Sequence, residues 1–382
     1  MRSIAERRLA NQRLIGPGYR SIADAVSALL AVQSQDYPAA KWALAQRIPG
    51  ATDAAFDAAL ASGAILRTHV MRPTWHFVLP KDIRWLQELT RHRVHALSAP
   101  YHKRMELTAR HLLKMHDVIA RALEGGKAMT RPELAKLFAA AGLEHDNFRM
   151  GFVLMHAELE CLVVSGPLKG KQQTYALLDE RVPPQPEKGK DQALAELAVR
   201  YFSVHGPAKV HDLAWWSGLT VGDVRKAIAA AGDAIVAEEI GGETYWSGTT
   251  PRRVTGLRER PVHLLPNYDE YFIAYKDRTA VYDPERVKGH IPVEFFYRHV
   301  LGVDGAILGQ WSREIGKGKV IVTVTPLVPL TPSQEAGLAA EVERHGAFLH
   351  LPAELVLTPP FVSADKTPAA GDGRGLLRAE GG

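Results

Sequence analysis

Residues 129–178, MTRPELAKLFAAAGLEHDNFRMGFVLMHAELECLVVSGPLKGKQQTYALL, decide how this chain is read. Thr130 is a good N-cap, and Pro132 and Glu133 suit a first helical turn. The pattern predicts a helix through Phe138, a stop at Gly142, a second helix over about Asn147–Glu160, and then a hairpin. The same plan recurs in Gly206–Gly248: a helix near Lys209–Ser217, a Thr220-capped helix VGDVRKAIAAAG and the hairpin IVAEEIGGETYWSG. It also occurs earlier, within Ile22–Leu79, where the hairpin reads AILRTHVMRPTWHFVLP. Two helices joined by a short turn and followed by a hairpin make a helix-turn-helix with a wing. Modules of this kind usually serve nucleic acid.

Working outward from the repeats predicts an α+β protein of three tandem winged helix-turn-helix units plus a C-terminal domain that is either a small antiparallel sheet or an antiparallel β-barrel-like domain. Residues 1–80 hold an N-terminal arm and the first unit, 81–181 linking helices and the second, and 189–249 the third. The loop VPPQPEKGK at 182–190 separates the second and third units. In 250–358, VHLLPNYDEYFIAY, FFYRHVLGVDGAILGQW and KVIVTVTPLVPL alternate as strands, and a helix is predicted over Thr331–His345. The Gly/Ala/Pro-rich tail, 359–382, reads as disordered. The first twenty residues carry Arg2, Arg7, Arg8, Arg13 and Arg20, which suit either a DNA-contacting arm or a solvated start to the fold.

Composition narrows the class. Hydrophobic residues at 46% and charged residues at 23% are the balance of a folded soluble chain. No apolar run is long enough for a membrane span, and MRSIAERRLANQRL lacks the apolar core of a signal peptide. Cys161 is the only cysteine, so an internal disulfide and a thiolate zinc cluster are excluded, and a reducing cytoplasm is the expected location. The net charge of +5 suits a polyanionic partner without demanding one. No HExxH or comparable metal spacing, GxxxxGK[ST] loop or convincing dinucleotide fingerprint occurs, so no cofactor or metal is expected.

Three local motifs can carry chemistry. Val32-Gln33-Ser34-Gln35-Asp36-Tyr37-Pro38 sets two amides one residue apart at the end of an apolar helix. In extended or turn backbone they can face one cavity; in a polar helix end they would bond to backbone. Asp36 can orient a glutamine or water, or cap the helix that follows. Arg67-Thr68-His69-Val70-Met71-Arg72-Pro73-Thr74-Trp75-His76-Phe77 alternates as a strand, so Arg67, His69, Arg72 and His76 can reach phosphate or a base and Trp75 can stack. The plainer reading is a wing hairpin with Trp75 and Phe77 in the core. The third motif, Pro266-Asn267-Tyr268-Asp269-Glu270-Tyr271, is either an acid/base pair or a polar turn at a domain junction. Lys169 and Lys171 sit at the tip of the second wing, well placed for phosphate; Arg252, Arg253, Lys317 and Lys319 form other basic tips.

VQSQDYPAAKWALAQRI, then RTHVMRPTWHFVLP, then LLPNYDEYFIAYKDR resemble, in that order, the winged-helix DNA glycosylases known as AlkZ-like proteins, first associated with azinomycin crosslink resistance in bacteria. The resemblance runs from about residue 5 to residue 360. It implies three tandem winged units and a β-barrel wrapped in a C shape around duplex DNA. It also implies a catalytic Gln-x-Gln or Gln-x-Asp pair, matched here by Gln33 and Gln35. Ser34 stands where crosslink-unhooking members carry an aliphatic residue, a departure that bears on substrate more than on chemistry.

The implied activity is monofunctional hydrolysis of the N-glycosidic bond of N7-alkylated purines, with possible substrates extending to interstrand crosslinks. His69, Arg72, Trp75 and His76 would lie on the wing beside the glutamines. The implied partner is double-stranded DNA, alkylated or crosslinked, bound by a monomer. The competing readings are a non-enzymatic winged-helix DNA-binding protein, such as a transcriptional regulator, and a protein-interaction scaffold.

Overall fold

Capping residues fix where the helices begin. The structure, a computed structural model, describes residues 3–250, 262–282 and 298–360. Thr52, Thr108, Thr130, Thr220 and Thr331 each cap a helix by accepting the N–H three residues on. Such a cap stabilises a helix by about 1 kcal/mol. At the start, Ser3 and Glu6 form a capping box for α1 (Ile4–Asn11).

The first residues depart from a DNA-contacting arm, because Arg7 and Arg8 on α1 and Arg13 just after it are engaged within the protein. Arg8 Nε donates to the Pro207 carbonyl at 3.0 Å, and its guanidinium lies 3.6 Å over the Tyr275 ring. Arg7 pairs with Glu238, and Arg13 donates to the Gly18 carbonyl at 2.7 Å.

One topology then appears three times. In the first copy, α2 (Ile22–Leu29), β1 (Val32–Gln33), α3 (Tyr37–Ala45), α4 (Asp53–Ser62), β2 (Leu66–Val70) and β3 (Arg72–Val78) form a sheet of order β1-β3-β2. Helix α5 (Pro80–Arg104) leads to the second copy. There α6 (Ala109–Leu123), β4 (Met129–Thr130), α7 (Arg131–Ala140), α8 (Asn147–Leu159), β5 (Val163–Ser165) and β6 (Thr174–Leu177) give the order β4-β6-β5. A short helix, α9 (Leu178–Arg181), follows. The third copy comprises α10 (Lys190–His205), α11 (Val210–Ser217), α12 (Val221–Ala231), β7 (Ile235–Ile240) and β8 (Glu243–Gly248). Its third strand is reduced to the single bridge Ala208–Trp246.

The C-terminal part differs in detail from the sequence reading. Strands β9 (Val262–Leu265), β10 (Val300–Val303), β11 (Ala306–Ile315), β12 (Val320–Pro326) and β13 (Ala353–Leu357) form one sheet in the order β13-β12-β11-β10-β9. Among the described residues this sheet is open, not a closed barrel. It is not wholly antiparallel, since α14 (Pro332–Leu349) crosses over between β12 and β13 and makes that pair parallel. The Asp304-Gly305 turn joins β10 to β11 with both residues at positive φ, the backbone a two-residue hairpin demands. Part of the expected strand around Asp269–Tyr275 is instead a helical turn, α13 (Glu270–Ile273), because the Asp269 side chain accepts the Tyr271 N–H at 2.8 Å and starts a helix. The Arg252–Arg253 tip and most of the expected disordered tail lie outside the described residues.

The larger apolar cores join these parts. Trp42, Phe56 and Phe77 of the first copy share a core with Val322, Leu338 and Phe348 of the C-terminal sheet and helix. The second copy has its own, around Leu112, Ile119, Phe138 and Val153. Trp216, Phe202 and Val224 of the third copy pack with Leu66, Val70 and Val78 of the β2–β3 hairpin. The hairpin is therefore clamped between copies rather than projecting freely.

Buried titratable groups make stability depend on pH. Burial pulls His205, His263 and His345 down to about 3 and pushes Glu270 and Glu341 up to about 7. Unfolded histidine titrates near 6.5, so between about 6.5 and 3 the unfolded chain binds protons that the folded chain refuses. These histidines therefore remove stability as pH falls. The two glutamates act oppositely, but only between about 7 and their unfolded value near 4.3. Urea-unfolding midpoints should decline gently from pH 7 to about 4.5 and steeply below it. A midpoint that rises steadily down to pH 4 would contradict this assignment.

Candidate functional site

The site begins where α2 ends. Leu30 takes a positive φ of 68° and turns the chain into β1. Gln33 pairs with His76 across the β1–β3 ladder, and the Ser34 N–H donates to the Trp75 carbonyl at 2.7 Å. Asp36 then caps α3 by accepting the Ala39 N–H at 3.1 Å. Gln33 therefore ends β1, and Gln35 lies in the bend between that strand and the α3 cap.

Both amides engage β3. Gln33 Oε1 accepts from Arg72 Nη2 at 3.1 Å, and Gln35 Oε1 lies 3.4 Å from the Trp75 N–H. Gln33 is 6% exposed, whereas Gln35 is open to solvent. An amide oxygen has two lone pairs, so each retains acceptor capacity.

Beneath Gln33 lies a carboxyl. Glu270 Oε1 accepts the Gln33 backbone N–H at 2.9 Å, and Glu270 Oε2 accepts Trp216 Nε1–H at 2.8 Å. Burial pushes this carboxyl up to about 7, against the two donors and the Arg72 charge, which favour the ionised form. Its neighbour Asp269 forms a two-pronged ion pair with Arg47, at 2.7 and 2.9 Å, and both side chains are fully buried. The Asp269–Glu270 turn therefore sits where the first copy, the third copy and the C-terminal sheet meet.

Several residues that the sequence placed against DNA are engaged inside the protein. Arg67 donates to the Ser34 carbonyl at 2.9 and 3.1 Å and lies 4.5 Å over the Trp75 ring. Burial draws its pKa down. His69 pairs with Glu158 of α8, and its ring lies 4.2 Å from that of Trp75. His76 is fully buried, with Nδ1 2.9 Å from the Thr74 carbonyl; burial, then the Arg72 charge, keep it neutral well below the usual histidine range. Arg72 and Trp75 are half-buried beside the glutamines.

Lys169 and Lys171 are exposed and belong to the second copy. Lys169 Nζ bonds both oxygens of Glu133 at 3.0 Å. The Thr130 N–H first, and then Lys169, hold the Glu133 carboxyl down to about 2.

Sequence reasoning missed other parts of the site. Glu158 comes from 89 residues away from His69, while Glu270, one of the adjacent carboxylates already singled out in the sequence, meets the Gln33 N–H from 237 residues away. Trp215, a half-exposed ring, has the Arg72 and Arg278 guanidinia 5.9 and 5.7 Å from its centre. The adjacent Trp215-Trp216 pair in α11 was the one available signal, since a helix this short rarely needs two such rings for packing alone. Past Asp36 opens a cavity of about 480 Å³, lined by Asn267, His299, Gln310, Trp311 and Thr323 among others. Among the described residues, the carboxylates and imidazoles close enough to share a metal ion are His95, His156 and Glu160, outside this site.

Tandem helix–helix–hairpin copies around a site of neutral amides, arginines and aromatic rings define a nucleic-acid-processing protein. Residues 26–348 match the family model described as DNA glycosylase AlkZ-like, and the chain belongs to that family. It is thus an enzyme that acts on DNA by cutting the bond between base and sugar. The interstrand DNA cross-link repair glycosylase of Streptomyces sahachiroi is 24% identical over 363 residues, which span 88% of this chain and 94% of that one. The solved structure of Streptomyces sahachiroi DNA glycosylase AlkZ shares the fold with a TM-score of 0.74 at 21% identity, covering 94% of this chain and 99% of that one.

Glu270→Ala removes the acceptor of two buried donors, each of which costs about 1–3 kcal/mol when left unpaired. Urea denaturation should show a loss of about 2–5 kcal/mol. A loss below about 1 kcal/mol would mean that Glu270 does not anchor the Gln33 backbone.

Proposed function

We propose that Gln33 and Gln35 together hold the water that attacks C1′ of an N7-alkylated purine nucleotide in duplex DNA. The observation that carries this reading is the placement of the two amides. Both reach β3, their oxygens oriented by Arg72 and the Trp75 N–H, at a site that Gln35 opens to solvent.

The chemistry needs little more. N7 alkylation leaves the purine cationic, so the base departs with the C1′–N9 electron pair as a neutral molecule. The sugar becomes an oxocarbenium-like cation. The remaining lone pair of an amide oxygen accepts a hydrogen bond from the water and turns its negative end toward that cation. Water adds to C1′ and its surplus proton passes to solvent. Neither glutamine is an amine nucleophile, so the product is an abasic site in an intact strand. A neutral amide is a weak base, which restricts the enzyme to labile cationic adducts.

In this reading the three copies are winged helix-turn-helix units within 1–80, 81–181 and 189–249, and one chain seats the duplex as a monomer. Arg72, Trp75 and Lys171 face DNA. Arg67, His69 and His76 act from inside by fixing the segment and the hairpin. The relative named for interstrand cross-link repair extends the substrate class to crosslinked N7 adducts; the exposed Gln35 end favours bulky lesions over bases flipped into a closed pocket. Ser34 leaves the choice between monoadduct and crosslink to be measured.

Wild-type protein should release N7-methylguanine from alkylated duplex DNA, and Gln33→Ala/Gln35→Ala should slow single-turnover release by on the order of 10²-fold while duplex affinity holds. Equal release by the double variant would overturn the amide mechanism. No release by wild type would overturn the choice of adduct. A second prediction concerns phosphate contact: Lys171→Ala should reduce the salt slope of duplex binding by about 1. Lys169→Ala should change it less, because Glu133 already offsets that charge. The reverse order would show that the second hairpin meets DNA differently.

A further inference from the structure

Four histidines and a carboxylate that the glycosylase site does not use converge where α5, α6 and α8 meet. His95 and His102 are two turns apart on α5, His116 is on α6, His156 is on α8, and Glu160 caps that helix one turn further on. The His156 ring is central, with ring centres at 4.8 Å to His95, 5.0 Å to His116 and 6.0 Å to His102. One ligand-type atom from each of His95, His156 and Glu160 lies within 4.8 Å of the other two. His95 Nε2 is already 2.7 Å from Glu160 Oε1.

The ring nitrogens need an explanation. His156 Nδ1, His116 Nε2 and His102 Nε2 are buried without a hydrogen-bond partner, although such an atom ordinarily costs about 1–3 kcal/mol. A backbone bond to Val153 occupies the other side of His116. A ring nitrogen with no donor opposite it keeps a lone pair free when the imidazole is neutral. Neutral imidazole is the form that ligates metal. A plain surface cluster would instead turn these nitrogens to water.

We propose that this crevice binds one divalent transition cation of the zinc type, with His95, His156 and Glu160 as ligands and His116 completing the tetrahedron. Zinc–nitrogen bonds of about 2.0–2.1 Å place tetrahedral donors about 3.3 Å apart, so side-chain rotations that draw the donors together by up to about 1.5 Å form the site. Arg91, 3.5 Å from Glu160 Oε2, also bonds Glu88 and can withdraw to that partner. The ligands come from three helices, which explains why no linear metal spacing shows in the sequence. The ion's role is to fasten the second copy to α5, which itself packs on the β2–β3 hairpin. Glu158, the partner of His69, lies two residues from Glu160.

The test uses full-length protein stripped with a chelator and titrated with Zn²⁺ alone, then with Co²⁺. One equivalent of zinc should bind and raise the thermal midpoint, and cobalt should give the intense visible bands of a tetrahedral site. His156→Ala should weaken zinc binding by more than about a hundredfold, and Glu160→Gln by more than about tenfold. His95→Ala/Glu160→Gln, on partly exposed helix faces, is the variant to use where His156→Ala fails to fold. Its metal-free midpoint should match that of metal-free wild type, with no rise on adding zinc. His111→Ala, an exposed histidine outside the cluster, should bind as wild type does. Absence of stoichiometric zinc, or binding unchanged in His95→Ala/Glu160→Gln, would overturn the proposal.

Discussion

The site depends on burying two adjacent carboxyls, Asp269 and Glu270, in one turn. In a low-dielectric interior two neighbouring negative charges are costly, and the protein treats them differently. Asp269 receives the Arg47 fork and is fully buried as an ion pair. Glu270 receives two neutral N–H donors, and burial outweighs them and the Arg72 charge to push it up to about 7. The first carboxyl locks the junction; the second holds the Gln33 backbone in place. Removing one partner of a buried ion pair commonly costs about 3–5 kcal/mol, so the turn is fixed more firmly than a surface loop.

The tandem copies share a topology but not a task. The first carries the glutamines and shares its core with the C-terminal sheet. The second is nearly self-contained, and reaches the hairpin through Glu158 on His69 and through Ser165, whose hydroxyl accepts the Arg67 N–H at 2.8 Å. The third supplies Trp216 to Glu270 and a floor for the β2–β3 hairpin. The hairpin that the first copy would present as a free wing is covered by both neighbours. Basic and aromatic side chains that would otherwise point outward become internal supports for Ser34 and Gln35.

Local features were legible in the sequence because they depend on neighbours along the chain. The caps Thr130 and Thr220 and the helix–helix–hairpin rhythm fall where the pattern puts them, whereas the Asp304-Gly305 turn divides what reads in the sequence as a single strand. The glutamine segment was legible for a similar reason, since a polar pair at the end of an apolar helix next to an Asp cap and Pro38 stands out. What was not legible depends on distance. Nothing near Arg67, His69 or His76 announces that α8 and β5 will cover that strand, so alternation alone suggested outward-facing cations. Arg8 looked like part of a basic arm because its partners, Pro207 and Tyr275, come from the other half of the chain. β13 was missed because its polar and apolar residues match an edge strand whose partner is set by the α14 crossover.

The central claim is that neutral amides, seated on a buried carboxyl, steer water to a sugar losing its base. The most direct measurement is a crystal structure of the protein on duplex DNA that carries a cationic abasic-sugar mimic. The account predicts the sugar ring beside Gln33 and Gln35, with an ordered water within about 3 Å of an amide oxygen and facing the C1′ position. A sugar seated elsewhere, with both amides turned away from it, would contradict the account.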